Sequence, residues 1–471
     1  MKSRKVSFAL FFGNRGFFPA SLMKEAREEL PRVLAKWGYD HLIMPEDATR
    51  YGAVETTDEG RVYARFLQEN RGRYDGVILC LPNFGDETGA VAALKEAGTP
   101  ILVQAYPDAL DKLGPALRRD AFCGKFSIMD VFCQYNVPFT ALKPHVVTPD
   151  SDAFKANVDA FAKICRVVNG MKNMTVGMIG ARTSPFKTVR CDELTLQKQG
   201  ISVETFDLSG IIAETKAIDP ASEACATKLK ALHSAAQWDG VPAAAAENIA
   251  KLAVVIDKTI AAHRLDAIAL RCWLELEEQL SISPCILMGL LNDAGIPAAC
   301  ETDIGSAVTM RALGLASEAA AGCLDWNNNY GSEEDKCILF HCSAMPPSMI
   351  VGKGKIEDHA ILATALGPNR SFGPNTGRIA PTDFTFGNML TAEGKVKFYL
   401  GEGAFTDDVI DSAFFGCAGV ARIKNIEDVY MHIGRTGHRH HVSVTPGLHA
   451  AAIREAFTRY LGFDVTLPQE S

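Results

Sequence analysis

Through the first two thirds of the chain, short apolar runs alternate with longer stretches whose apolar positions recur every three or four residues. Buried strands alternating with amphipathic helices are the pattern of parallel sheets covered by helices. The runs at 6–12, 41–44, 76–81 and 100–104 read as strands, with helices at 23–37, 57–70 and 88–97 between them. They predict a doubly wound unit of flavodoxin-like size. A helix over 151–169 leads out of it, and a second series starts after Met171. That series runs strand 175–179, helix from about 186 to 200, strand 202–206, an Ala-rich region, helix 244–263, strand 267–270 and helix 277–294.

Beyond Leu315 the texture changes. Gly, Pro and Asn become frequent, as in Gly367-Pro368-Asn369, and runs such as 395–400 favour strands. A mainly β region is expected, closed by a helix at 449–461. The fold class is therefore α/β: two doubly wound parallel-sheet N-terminal domains, at 1–171 and 172–315, followed by a β-rich C-terminal domain at 316–471.

Composition agrees with several domains, since 471 residues exceed one ordinary core. A 47% apolar and 22% charged content is that of a globular protein. The 56 acidic against 48 basic side chains give a net charge of −8, and no strong Lys/Arg cluster offsets it, which argues against a nucleic-acid partner. No apolar run approaches the roughly 18 residues of a membrane span. The charged start, Met1 to Lys5, precedes an apolar run that stops at Gly13-Asn14-Arg15 without a small-residue cleavage site, so a first strand is expected rather than a leader. Thirteen scattered cysteines, an odd number with no CxxC pair, fit reduced thiols in a cytoplasm.

Three places carry candidate chemistry. Glu301-Thr302-Asp303 stands between a strand and the helix-like segment 305–315, at the carboxyl side of a strand, where open α/β sheets place ligands. The same residues also fit a helix start, with Asp303 as cap and Glu301 at the positive end. Asp325 heads Asp325-Trp326-Asn327-Asn328-Asn329, a composition typical of a turn. His438, His440 and His441 fall within four residues beside an apolar strand. Adjacent strand residues point to opposite faces, so at most one of His440 and His441 readily ligates and the other has a supporting place. A surface histidine cluster in a Gly-rich loop is the alternative. His341, alone in an apolar strand, reads as a satisfied core residue. P-loop, GxSxG, kinase and GxGxxG signatures are absent.

Taken together these places resemble the L-fucose isomerase family, and distantly L-arabinose isomerase. The motifs are Phe12-Gly13-Asn14-Arg15-Gly16-Phe17-Phe18-Pro19, Ile179-Gly180-Ala181-Arg182 with Phe186, Ala269-Leu270-Arg271-Cys272-Trp273, and Ala299-Cys300-Glu301-Thr302-Asp303. The 24 positions from Glu301 to Asp325 repeat the family's Glu-to-Asp ligand spacing, and His441 with Gly447 matches its late His and Gly. The chain is shorter than fucose isomerases, and family members often carry Gly where Thr302 stands.

The resemblance implies Glu301, Asp325 and His441 as metal ligands, typically for Mn²⁺. A mixed carboxylate–imidazole set also suits Mg²⁺ or Co²⁺. It implies an aldose–ketose isomerase acting on a free sugar of the L-fucose, D-arabinose or L-arabinose type, or on a C6-modified sugar such as sulfoquinovose. Glu301 and Asp325 are then the catalytic carboxylates. It further implies a homo-oligomer, a hexamer with sites between subunits, in which Arg15 touches sugar. Phe84 and Trp273 are expected as apolar walls, His440 on the substrate side, and Arg271 or Arg182 as partners for an anionic group. Two other readings use the same scaffold: a non-catalytic sugar-binding or regulatory protein, and a metal-dependent epimerase or aldolase.

Overall fold

The computed structural model describes residues 5–342 and 344–470; the charged start read against a leader, Met1 to Arg4, lies outside them. The described chain forms two compact units, 5–169 with Glu455–Gly462, and 170–454 with 463–470.

The first unit is built on four parallel strands, β1 (Ser7–Phe12), β2 (Asp40–Ile43), β3 (Gly76–Leu81) and β4 (Ile101–Ala105), in the order β2-β1-β3-β4. Every residue of β1, β3 and β4 is buried, as expected of central strands covered on both faces. Helices Ser21–Lys36, Thr57–Glu69 and Glu87–Leu94 connect them, the second opened by a Thr56/Glu59 capping box. Helix Ala121–Gln134 has no counterpart in the sequence reading. Its polarity is inverted locally: Phe122 and Phe126 are exposed while Lys125 is buried, which hides the helical period. Helix Asp152–Met171 follows. The late segment around Tyr460 belongs to this unit, its hydroxyl donating to the Ile101 carbonyl at 3.2 Å.

In the second unit, β5 (Met174–Ile179) and β6 (Ile201–Phe206) begin another parallel sheet, and the two-residue β7 (Ala236–Gln237) leaves it for a larger one. Strands β8 (Ala267–Leu270) and β9 (Ala298–Cys300) complete the order β6-β5-β8-β9. Helices Leu208–Ala217 and Glu223–Ala235 fill the Ala-rich region, and Ala243–His263 follows them. The expected helix near 186–200 is shorter, Glu193–Lys198, because the Asp192 carboxylate accepts from the Leu194 and Thr195 amides and sets its start. The expected helix over 277–294 is two, Glu275–Leu280 and Cys285–Asp293. Ser281 at φ 54° turns the chain out of the first, and Pro284 opens the second.

The remaining strands are β10 (Gly322–Asn329), β11 (Lys336–His341), β12 (Gly354–Asp358), β13 (Phe372–Arg378), β14 (Thr382–Ala392), β15 (Lys395–Phe405), β16 (Cys417–Arg422), β17 (His441–Pro446) and β18 (Asp464–Thr466). Six of them close on themselves: β15 pairs β14, then β17, β10, β11 and β16, and β16 pairs back to β15, every contact antiparallel. Closure removes two exposed sheet edges. Leu324, Leu339, Phe384, Phe386, Val442 and Val444 belong to one buried cluster of this barrel. The Asp–Asn run read as a turn is instead the end of β10, with an irregularity between Trp326 and Asn328. Pairing with β11 engages its backbone and overrides the local preference of asparagine for turns.

One helix carries the architecture to the site. Ile304–Ser317 packs against β8 of the parallel sheet and against β14 and β17 of the barrel. Buried on nearly every side, it is apolar around its circumference rather than along one stripe. Among the described residues no helix is long and apolar enough to cross a membrane.

Candidate metal centre

Three separate pieces of backbone deliver the candidate ligands. After β9 the chain takes two successive left-handed residues, Glu301 at φ 56° and Thr302 at φ 57°. Neither is glycine, so this turn holds the kind of local strain that clusters at functional sites. A glycine at position 302 would adopt the same φ without penalty. Asp325 and His441 are direct cross-strand partners of β10 and β17. Their immediate neighbours Leu324 and Val442 point into the barrel, so alternation sends Asp325 and His441 to its outer face. His341 ends β11, the strand on the other side of β10.

The geometry brings these groups to one point. His441 Nε2 lies 3.4 Å from Glu301 Oε2 and 3.5 Å from Asp325 Oδ1. His341 Nε2 is 3.8 Å from Glu301 Oε2. Trp273 Nε1 donates to the other Glu301 oxygen at 3.4 Å. Among the described residues, Glu301 Oε2 and Asp325 Oδ1 are buried and accept no hydrogen bond. Two such carboxylate oxygens facing two imidazole nitrogens leave a costly arrangement unless a cation completes it. Glu301, His341 and His441 form one group of compatible donors, and Asp325, His440 and His441 another.

Electrostatics agree with that picture. Burial pushes the Asp325 carboxyl up, against the opposing pull of His341 and His441. Burial would lower His441, yet Asp303, Glu301 and Asp325 hold it raised. His341 is likewise raised despite its burial, by Cys342, Glu301 and Asp325. The carboxylates thus favour the charged form of both rings, and a metal ion would compete with protons for the same nitrogens. His440 is pushed down to about 4 by burial and by His441.

The sequence-derived residues fall into two places. Glu301, Asp325, His441, Trp273 and His440 share one neighbourhood. β17 starts at His441, so the alternation argument does not reach His440, and His440 Nε2 also lies 3.7 Å from Asp325 Oδ1. His341, read as a core residue, is buried as such a residue would be and also presents Nε2 to Glu301. Only long-range pairing of β11 with β10 reveals this. Arg271 is engaged by Glu275 at 2.6 Å and donates to the Ala181 carbonyl, and Arg182 donates to the Thr183 carbonyl. In the N-terminal unit, Arg15 lies over the Phe84 ring at 4.3 Å and pairs with Glu87, at the carboxyl ends of β1 and β3.

A cavity of about 230 Å³ opens beside the cluster, lined by Glu301, Asp325 and His341 at one side and by Trp273, Phe340, Ile361 and Leu362 as apolar wall. Cys272, Ser283, Cys285, Cys342 and His359 complete it. Of this lining the sequence reading singles out Glu301, Asp325, Trp273 and His341, with Cys272 inside a motif; the others, in a lining spread over about ninety positions, converge only through the fold. The combination is a polar, cation-ready floor under a mostly apolar wall, the usual make-up of a small-molecule site.

Comparison with known proteins agrees with the resemblance of the motifs. Residues 9–172 match the family model described as fucose/sulfoquinovose isomerase, N-terminal domain, and residues 339–468 match L-fucose isomerase, C-terminal domain. A sulfoquinovose isomerase of Alkalicoccus urumqiensis is 23% identical over 280 residues, 59% of this chain and 62% of that relative. One of Priestia aryabhattai is 23% identical over 324 residues, 65% of this chain and 67% of the relative. The match to the first thus spans less than two thirds of that relative's length. With both domain models in place in their expected order, the chain belongs to the L-fucose isomerase-like family.

Proposed function

We propose that this chain is a divalent-metal-dependent aldose–ketose isomerase, with Glu301, Asp325 and His441 holding the ion and His341 at its edge. The observation that carries the reading is the pair of buried carboxylate oxygens, Glu301 Oε2 and Asp325 Oδ1, each without a hydrogen bond and each within 3.5 Å of His441 Nε2. Mn²⁺ is the ion we expect, and Mg²⁺ or Co²⁺ fits the same donors. When bound, the cation supplies Lewis-acid stabilisation of the negative charge that develops on adjacent sugar oxygens. Glu301 and Asp325 move the proton between C1 and C2, and burial, which raises the Asp325 carboxyl, favours its taking up a proton. Trp273 fixes Glu301 through its indole N–H, and the Phe340, Ile361 and Leu362 wall keeps water from the reacting carbons.

The substrate is a free sugar of the size of a hexose, and the names of the relatives put sulfoquinovose beside L-fucose on the panel. Among the described residues lining the cavity none is Lys or Arg, so a sulfonate would draw its cation from outside that lining. We extend the proposal to a homo-oligomer, a hexamer by family resemblance, with Arg15 and Phe84 meeting the sugar of a neighbouring copy, and to a cytoplasmic location. The test is turnover of a panel of aldoses in D₂O, followed by NMR, before and after chelation and Mn²⁺ return. We expect ketose formation with hydrogen movement or exchange between C1 and C2, lost on chelation and restored by Mn²⁺. Glu301→Gln is expected to lower it by about 10²–10⁴. Binding without turnover would favour a sugar sensor instead.

A further inference from the structure

Asp303 does more than begin a helix. A cap needs one acceptor for a first-turn amide, and Asp303 Oδ1 supplies it to the Ser306 N–H at 3.1 Å. The same carboxylate receives the Arg439 guanidinium on Oδ1, and on Oδ2 it meets Ser306 Oγ at 2.6 Å and His441 Nδ1 at 2.8 Å. It is wholly buried, and Arg439 is 2% exposed. A guanidinium buried at a helix N-terminus is opposed by the helix dipole, and its Nε and Nη2 find no hydrogen-bond acceptor among the described residues. A buried ion pair of this kind is poor evidence of stabilisation. Its placement is nevertheless built in: a Cβ at Gly305 would meet Arg439 Nη1 at 2.5 Å, so the helix start is shaped to admit the guanidinium.

The effect falls on His441. Two acceptors cannot face each other at 2.8 Å, so the hydrogen-bond network assigns the proton to His441 Nδ1 and the donor role to the ring. Asn388 Nδ2 donates to the His441 carbonyl at 2.6 Å and to Ser306 Oγ at 3.2 Å, fixing backbone and helix start together. With Nδ1 committed, Nε2 carries the lone pair and points between Glu301 Oε2 and Asp325 Oδ1. We propose that Asp303 is a positioning residue that orients His441 as a metal ligand, and that Arg439 clamps Asp303 in that role. The inference rests on the cation site proposed above.

Calorimetric titration of the EDTA-stripped full chain with Mn²⁺ tests it, alongside the melting temperature of the stripped protein. Asp303→Asn keeps a good N-cap and removes the charged acceptor. We expect Mn²⁺ affinity of the folded variant to fall about 10–100-fold, with the stripped protein's melting temperature lowered because Arg439 loses its buried partner. Arg439→Lys keeps the charge but loses the fork, and is expected to weaken binding in the same direction by less. A residue that only caps the helix would leave Mn²⁺ affinity unchanged in Asp303→Asn. Unchanged Mn²⁺ affinity in either folded variant, with wild type binding normally, overturns the inference and leaves the proposed function standing. Failure of the wild-type chain to bind Mn²⁺ overturns the proposed function, and this inference with it.

Discussion

Glu277 shows how a single side chain behind the cavity sets a pH response. It is fully buried, accepts from Ser283 Oγ at 2.9 Å through one oxygen, and has no hydrogen bond on the other. Burial raises its carboxyl to about 7 from a usual 4.5, with Ser283 and His359 pulling the other way. Between those two values the folded chain keeps a proton that the unfolded chain has lost, so this group makes stability fall as pH rises through the window. The full cost is present above pH 7 and absent below about 4.5. Glu277→Gln keeps the Ser283 bond without the charge, and is expected to stabilise the chain at pH 8 by roughly 2–3 kcal/mol, taking 1.36 kcal/mol per unit as an upper scale. Thermal melts of both proteins from pH 4.5 to 8 check it: the advantage should shrink to nothing at the acid end, and equal melting at pH 8 would contradict it. The residue scale is also where sequence and structure meet most closely. Asp303 was legible as a helix cap and is one, but its second oxygen, turned to His441, depends on a contact across 138 positions that no local pattern announces.

Elements were legible wherever burial follows a period. β3 and β8 stand at the residues their apolar runs predict, 76–81 and 267–270. Helix Ala121–Gln134 escaped because its exposed phenylalanines and buried lysine invert the pattern. β10 escaped because asparagines that favour turns were recruited into a ladder with the next strand, β11. Helix Ala121–Gln134 bears directly on the Arg15–Phe84 cluster: a Cβ at Gly124 would run into the Phe84 carbonyl. Ala normally favours a helix over Gly by about 1 kcal/mol. Here the obstacle is backbone, which cannot swing aside, and overpacking of this kind costs about 1–3 kcal/mol. Gly124→Ala is therefore expected to destabilise the chain by a net 1 kcal/mol or so, read from the midpoint of a urea titration. An increase in the midpoint would show that the loop-to-helix contact yields without cost.

At the scale of the whole molecule, the site is a consequence of closure. The spacing of 24 positions between Glu301 and Asp325 has meaning because helix Ile304–Ser317 spans the parallel sheet and the barrel, returning the chain to β10 beside β17. His441 then arrives by register, and His341 by the next pairing round the barrel. The α/β class and the β-rich C-terminal region were readable from texture and motifs, whereas the ring of six strands and the Cys- and His-lined end of the cavity follow only from three-dimensional pairing. The central claim is that one divalent ion sits among Glu301, Asp325 and His441. Anomalous diffraction from crystals of the full chain grown with Mn²⁺ measures this directly. The account predicts a single strong peak at bonding distance from Glu301 Oε2, Asp325 Oδ1 and His441 Nε2. A peak elsewhere, or none among these three atoms, would contradict it.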